Sequence, residues 1–383
     1  MAIKVMNKKK VIGYICQSNP FVDKKAWSGS IYKIRIGIEN AGFEVKWIPY
    51  RKNLFFRLIF RLCSQVSFLN GFVYTRLFFW LYSLSIDRKL LAGCDLFFFP
   101  GEWQLIEYVN LNKPKIIYGD STMPLLIDYY WSDFSEFMKK QIIRLDKKNH
   151  VKSDLIIKSS RWAANSVKSD YGISEEKIAV IEFGCSLNKD EITPIMPYED
   201  GKLRVLFSGV EWERKGASIA IDTIKCLNEM GVDATLCLVG IRPQCIPIEY
   251  QNLPFVEYVG YLDKNNLDES RKYACLYRKC HLLLVPTKAE CAGIVFAEAS
   301  AYGMPILTHD TGGIESYVIN GLNGYRLPLG STPWQFATKI KQMIVEKEFA
   351  QLGQQAILYY EKCLNWEIWG SRFRKLIENK GFI

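Results

Sequence analysis

Glu290 and Glu298 stand eight residues apart in AECAGIVFAEAS (289–300), just after the apolar run HLLLV (281–285). Ala292, Gly293, Ile294 and Val295 open a helix between them. The unbonded N–H groups of such a helix start, with the positive end of its dipole, suit a diphosphate. Gly293 lets backbone come close to a ligand. Glu298, two turns in, can accept hydrogen bonds from both hydroxyls of a ribose, and Glu290 at the mouth can do the same for a sugar. The plain structural alternative is a Glu298 that faces solvent on a surface helix.

A second group lies in LRVLFSGVEWERKGASIAI (203–221). A strand ends at Gly209, a loop carries Arg214, Lys215 and Gly216, and a helix follows. Two cations there can neutralise a leaving diphosphate, or simply form a solvated basic turn. Tyr261, after Gly260 at a strand end, is a candidate for contact with a nucleobase. Gly29 and Ser30 open the first helix beside Trp27; an ordinary Ser-capped helix is the alternative. Asp120 follows the strand in IIYGDST (116–122), where a helix N-cap is the alternative. His150, His281 and His309 fit no triad and read as structural.

Positioning these groups requires strands that end at them. Runs at 11–16, 95–99, 115–118, 153–157 and 178–182 read as buried strands, with helical periodicity at 29–41 and 133–149. The plan repeats with strands at 203–208, 234–239, 255–259, 281–285 and 305–308. Helices follow at about 216–230, 292–302, 333–346 and 347–363. Apolar strands alternating with helices mean parallel sheets covered on both faces. Two such sheets in series predict two α/β, doubly wound domains: 1–190, then 191–364, with a closing amphipathic helix at 365–383. The Pro- and charge-rich stretch 186–202 separates them. Ligands of open parallel sheets bind outside the carboxyl ends of the strands.

The 383 residues are 49% hydrophobic and 23% charged, as in globular chains, and long enough for two cores. Eleven scattered cysteines without C-x-x-C exclude a zinc framework and read as reduced thiols, which suits the cytoplasm. The start MAIKVMNKKKVIGYIC reads as a first strand rather than a secretion signal. Net charge is +10, but residues 1–160 carry 25 Lys+Arg against 13 Asp+Glu, and the rest 25 against 27. The basic half implies phosphates or an anionic membrane as partner, or a merely soluble surface. Residues 54–86 are long and apolar but broken by Arg57, Arg61 and Arg76. They read as packed helices or as a segment dipping into the inner leaflet, not as a spanning helix. Without D-x-D, G-x-G-x-x-G or a P-loop, a metal-held diphosphate, a plain dinucleotide site and a P-loop nucleotidase are disfavoured.

The stretch TKAECAGIVFAEASAYGMPILTHDTGGIESYVINGLNGY (287–325), with Lys215-Gly216, closely resembles retaining glycosyltransferases of family 4, of the GT-B fold. The resemblance covers nearly the whole chain, strongest over 203–325 and weakest over 43–92. It implies two Rossmann-like domains facing a central cleft, with the last helix crossing back. Glu290 would meet the transferred sugar and Glu298 the ribose. Gly29 would lie against donor phosphate or acceptor, and Asp120, where many members place His, against the sugar. Val210 stands where the family's first Arg is expected, and Arg214 offers a charge from a different place.

The reading that follows is transfer of a hexose-type sugar from a UDP- or GDP-sugar to a hydroxyl of a glycan or lipid-linked acceptor. It would occur with retention, in cell-surface polysaccharide synthesis. Glu290, Lys215, Arg214 and Asp120 form the catalytic set. Gly29, Arg214, Lys215, Tyr261, Glu290, Gly293, Ile294, Val295 and Glu298 hold the donor. No metal, cofactor or nucleic acid is called for. The location is cytoplasmic, peripheral on the plasma membrane where the basic half meets lipid. An epimerase of the same fold and a non-catalytic nucleotide-sugar-binding protein are the alternatives.

Overall fold

The computed structural model describes residues 9–51, 74–109, 111–131 and 134–383. The chain divides into two compact units, Met1–Ile181 with Trp369–Ile383, and Glu182–Ile368. Each is built on a six-stranded parallel sheet.

The first sheet contains β1 (Val11–Ile15), β2 (Glu44–Ile48), β3 (Leu96–Pro100), β4 (Lys115–Gly119), β5 (Leu155–Lys158) and β6 (Ile178–Val180), in the order β2-β1-β3-β4-β5-β6. β3 reads LFFFP and is buried along its whole length, as a strand covered on both faces must be. Helix α1 (Ser30–Asn40) buries Ile31, Ile34 and Ile38, one face of a 3.6-residue period. Helix α2 (Arg76–Leu84) buries Phe78, Phe79 and Tyr82. Ser135 and Ser160 cap α3 (Glu136–Val151) and α4 (Arg161–Ser169) through their hydroxyls. Of the apolar segment 54–86, residues 54–73 lie outside the described residues.

The second sheet contains β7 (Leu203–Ser208), β8 (Ala234–Val239), β9 (Val256–Gly260), β10 (Leu282–Val285), β11 (Ile306–Asp310) and β12 (Gly324–Pro328), in the order β12-β11-β10-β7-β8-β9. Its helices are α5 (Trp212–Lys215), α6 (Ala217–Glu229), α7 (Leu267–Lys279), α8 (Ile294–Ala301), α9 (Pro333–Val345) and α10 (Glu348–Cys363). Thr332 and Gln335 form a reciprocal capping box at α9, with Pro333 in the first turn. The last helix, α11 (Trp366–Asn379), has Trp369, Phe373 and Ile377 fully buried. A Cβ at Gly370 would lie 2.3 Å from the Gly37 carbonyl oxygen, so only glycine lets α11 pack this close to α1.

Strand order fixes where ligands can bind. In the first sheet the chain steps from β1 out to β2, then returns to build from β3. In the second it runs β7, β8, β9 to one edge and restarts at β10 on the other side of β7. The crevice of such a sheet opens where that reversal occurs, at the carboxyl ends of the two central strands. Those places lie beside β1 and β3 in one unit, and beside β7 and β10 in the other. Two strands escape the sequence reading, β2 (EVKWI) and β12 (GYRLP). Both are edge strands, and most of their residues are only partly buried or exposed.

Candidate functional site

In the second unit the segments leaving β7 and β10 pack backbone against backbone. A Cβ on Gly216 (φ +73) would meet the Pro286 carbonyl oxygen at 2.2 Å. A Cβ on Gly209 would lie 2.8 Å from Lys215 Cγ, so this glycine clears a lane for the lysine stem. Lys215 runs along that lane and its ammonium pairs with Glu290 Oε2. Both side chains are only 11% exposed. The residues before Gly216 form the one-turn helix α5 rather than the expected loop, and Gly216 ends it in the left-handed conformation.

Arg214 is held differently from expectation. Its Nε and Nη2 donate to the two oxygens of Glu211 at 3.0 and 2.5 Å. Its Nη1 donates to the Ala289 carbonyl at 3.0 Å and stands 3.7 Å from Glu290 Oε2. Much of its charge is therefore spent on Glu211, whose carboxyl it holds below the ordinary value. Val210, where the first cation was expected, has an exposed side chain. The sequence reading passed over Glu211, although Glu and Arg three apart on a helical turn are natural partners.

Helix α8 starts at Ile294, with Gly293 (φ +92) as its N-cap, so Ala292 lies outside it. A Cβ at Gly293 would be 2.4 Å from the Phe296 ring. The first-turn N–H groups of Ile294 and Val295 have no acceptor within the helix by its geometry. Glu298 is then one turn in, not two, and it faces inward: it is 1% exposed, which removes the solvent-facing alternative. Oε1 accepts from the Ser186 hydroxyl and, at 2.9 Å, from Lys264 Nζ. Oε2 accepts from the hydroxyls of Tyr273 and Tyr277, each at 2.7 Å. Burial pushes this carboxyl up, but Lys264 and the hydroxyl donors outweigh it and hold it below the ordinary value. The expected pair of ready acceptors for ribose is thus engaged by internal donors. Tyr273 and Tyr277 went unread in the sequence; their i, i+4 spacing on α7 was the available signal. Tyr261 is 41% exposed, with the Arg242 guanidinium over its ring at 5.3 Å.

In the first unit, Trp27, Ser28 and Gly29 take positive φ in succession, 51°, 56° and 91°. For the two non-glycine residues this costs about 1–2 kcal/mol each. The turn carries the chain into α1, with Gly29 as N-cap. Ser30 is not a cap: its hydroxyl is buried without a hydrogen-bond partner among the described residues. The strained turn brings Trp27 Nε1 to Asp120 Oδ2 at 3.1 Å. Asp120 is not a helix cap either, since Thr122 holds that position before the turn Met123–Leu126.

Behind this loop a buried array fixes it in place. Lys158, 1% exposed, donates to the Ser121 carbonyl at 2.7 Å and reaches His150 Nε2 at 3.0 Å. His150 Nδ1 lies 2.9 Å from Asp146. Burial pushes the Asp146 carboxyl up, and His150 and Lys158 pull it below the ordinary value. His281 and His309 are also bonded into the fold, to Arg204 N and to the Pro286 carbonyl. Glu102, at the carboxyl end of β3, accepts from the Tyr50 hydroxyl at 2.6 Å and the Gln104 amide at 2.5 Å. The sequence signal for it was plain: the first acidic residue after the run LFFFP.

Residues 202–346 match the model of the family Glycosyl transferases group 1. An uncharacterized glycosyltransferase of Methanocaldococcus jannaschii is 28% identical over 230 residues, 59% of this chain and 60% of that protein. The chain therefore matches less than two thirds of that relative's length. Sucrose-phosphate synthase from Thermosynechococcus elongatus superposes with a TM-score of 0.66 at 17% identity, over 97% of this chain and 99% of that one. An Anabaena HepE structure holding UDP and glucose superposes with a TM-score of 0.61 at 14% identity, over 96% and 99%. At these identities the two structures speak for the fold, which is GT-B. The likeness to the Glycosyl transferases group 1 family thus lies in residues 202–346, on the second of two doubly wound sheets of the GT-B fold.

Proposed function

We propose that the protein is a retaining glycosyltransferase of family 4. It takes a hexose-type sugar from a UDP- or GDP-sugar and places it on a hydroxyl of a glycan or lipid-linked acceptor, in cell-surface polysaccharide synthesis. The observation that carries this reading is the Lys215–Glu290 pair at the reversal of the second sheet, beside the start of α8. A diphosphate arriving there meets a nearly buried ammonium and the positive end of a helix. Lys215 exchanges its carboxylate for the phosphates, and Glu290, so released, takes hydroxyls of the sugar. The bond from anomeric carbon to phosphate oxygen breaks with its electrons going to the phosphate. The acceptor oxygen forms the new bond on the same face, and its proton passes to the departing phosphate. Charge grows on the diphosphate as this happens, so cations fixed beforehand stabilise the transition state more than the ground state.

No resident metal is needed in this scheme, and turnover in excess EDTA checks that part. The Anabaena protein solved with UDP and glucose supports a uridine nucleotide as the first donor to try. Melting curves with UDP, GDP and their sugars test the donor class. A ligand at 100 times its Kd adds about 2.7 kcal/mol. Absence of any shift with all of them overturns the reading. The anomeric configuration of the product by NMR then tests retention. An epimerase would interconvert the sugars without an acceptor.

Contact with an anionic membrane belongs to the same proposal. Among the described residues no helix is long and apolar enough to cross a membrane. Leu77, Trp80 and Leu84 stand exposed along one stripe of α2, in the basic half of the chain. Vesicle binding that rises with phosphatidylserine and falls with salt is the expected result. Equal binding to neutral vesicles counts against it.

A further inference from the structure

A carboxylate offers about four lone-pair sites, two on each oxygen. Glu298 has all of them filled. The two tyrosine hydroxyls on Oε2 are wholly buried, and Tyr273 is braced further by Ser208 Oγ at 2.8 Å. Both tyrosine hydroxyls are held in the core, and they also bond each other at 3.1 Å, so Oε2 is a fixed anchor. Oε1 is different. One of its donors is Ser186, and the other, Lys264, is 28% exposed and comes from the segment after β9. Lys264 also donates to Ser186 Oγ at 2.8 Å and lies over the Tyr273 ring at 4.7 Å. Of the donors around Glu298 it is the one with a long flexible stem and access to water. A ribose reaching this carboxylate must displace a donor from Oε1, and the ammonium on its flexible stem is the one best able to move away.

We infer that Lys264 is a specificity-determining residue of the donor site: it holds Oε1 of Glu298 and yields it only to a ligand that brings negative charge of its own. The inference rests on the nucleotide-sugar reading above. Drawing an ammonium off a buried carboxylate is costly unless another anion receives it. A nucleoside presents hydroxyls alone and leaves the displaced cation with no partner. A nucleoside diphosphate presents the same hydroxyls and phosphates to which the freed ammonium turns. The site therefore rejects nucleosides through the same residue that helps to retain nucleotides, and it does so whichever base is read.

The test compares uridine with UDP, and guanosine with GDP, by calorimetry on the wild type, Lys264→Met, Lys264→Gln and Lys264→Arg. For the pair that binds, wild type prefers the diphosphate strongly. Lys264→Met and Lys264→Gln narrow that preference at least ten-fold, because the diphosphate weakens while the nucleoside holds or tightens. Lys264→Arg, which keeps the charge, retains most of the preference. Gln keeps a neutral donor to Oε1, so it guards against a Met variant that folds poorly. A merely structural lysine would weaken nucleoside and diphosphate alike, and an unchanged ratio in folded variants overturns the inference while leaving the donor class intact. Failure of every nucleotide to bind the wild type sinks the donor reading itself.

Discussion

Between β7 and β10 the chain is packed tight by glycines, and its charges are paired with one another. Between β1 and β3 the turn at Trp27 and Ser28 is held in left-handed backbone with side chains that disfavour it. The two sheets share one architecture, but they hold their site residues by opposite means. In the second unit Gly209, Gly216 and Gly293 each occupy a space that a Cβ would overlap, so Lys215 and Glu290 are placed by close contact. In the first unit the contact of Trp27 with Asp120 is held by strain, which surrounding packing must sustain. A tight, ion-paired site suits a ligand whose charge is always the same, such as a diphosphate. A strained turn suits a partner that varies, because a small shift releases it.

The largest expected effect falls on the ion pair. Lys215→Ala removes the ammonium paired with Glu290, leaving Arg214 at 3.7 Å, and takes a preorganised positive charge from the proposed diphosphate site. Turnover should fall roughly 100-fold or more, as on removing one oxyanion donor. Asp120→Asn keeps the size and most of the hydrogen bonding and should cost far less. Steady-state kinetics on both variants, with folding confirmed by melting, decides the matter. Near-wild-type turnover in folded Lys215→Ala would break the comparison at its stronger side.

Next comes the glycine packing. Gly216→Ala places a methyl 2.2 Å from the Pro286 oxygen, at φ +73. It should destabilise the second unit by about 3 kcal/mol, between backbone strain and forced separation of the two segments. Urea unfolding measures it. A loss below about 1 kcal/mol would mean that the segments after β7 and β10 can part freely, and that Lys215 is not placed by packing.

Much of this was readable beforehand, and the exceptions have physical causes. Interior strands such as LRVLFS (203–208) and ATLCLV (234–239) are mostly apolar and buried because both faces are covered, and their limits come directly from the sequence. The edge strands β2 and β12 carry Glu44, Lys46 and Arg326 and do not look like strands. Local motifs singled out Glu290, Lys215 and Gly293, and the structure then brings Lys215 to Glu290 across 75 residues. Lys264 was not singled out: it reaches Glu298 across 34 residues, and no local pattern marks it. Glu211 was missed although its partner Arg214 is local, because the reading of that turn followed the cations alone.

A smaller effect concerns acid. Glu298 is held below the ordinary carboxyl value in the folded chain, whereas the unfolded chain titrates near the usual ~4.3. Its ionised form therefore stabilises the fold above about pH 4.5, and that contribution is lost as pH falls through the lowered native value. Glu298→Gln abolishes this dependence. Urea midpoints at pH 7 and near pH 3.5 should fall less with acid in the variant than in the wild type. Parallel falls would show that the native value of Glu298 is not lowered.

The smallest effect probes the strained turn, and its sign is informative. Ser28 sits at φ +56 between Trp27 and Gly29. Replacing it with glycine removes about 1–2 kcal/mol of left-handed strain. The added freedom of glycine in the unfolded chain takes back about 0.5–1 kcal/mol. Ser28→Gly should thus leave stability unchanged or raise it by up to about 1 kcal/mol. Ser28→Val, branched at Cβ and poorly suited to this region, should lower it by about 2 kcal/mol or more. If the strain serves to press Trp27 toward Asp120, Ser28→Gly should also weaken acceptor use, seen as a raised acceptor KM with the donor KM unmoved. The second unit offers no counterpart, because its left-handed positions beside Lys215 and Glu290 are already glycine. A Ser28→Gly chain that melts several degrees lower than wild type would show that the serine is bound to its place by contacts rather than held there against its preference, and the contrast between the two sites would rest on charge alone.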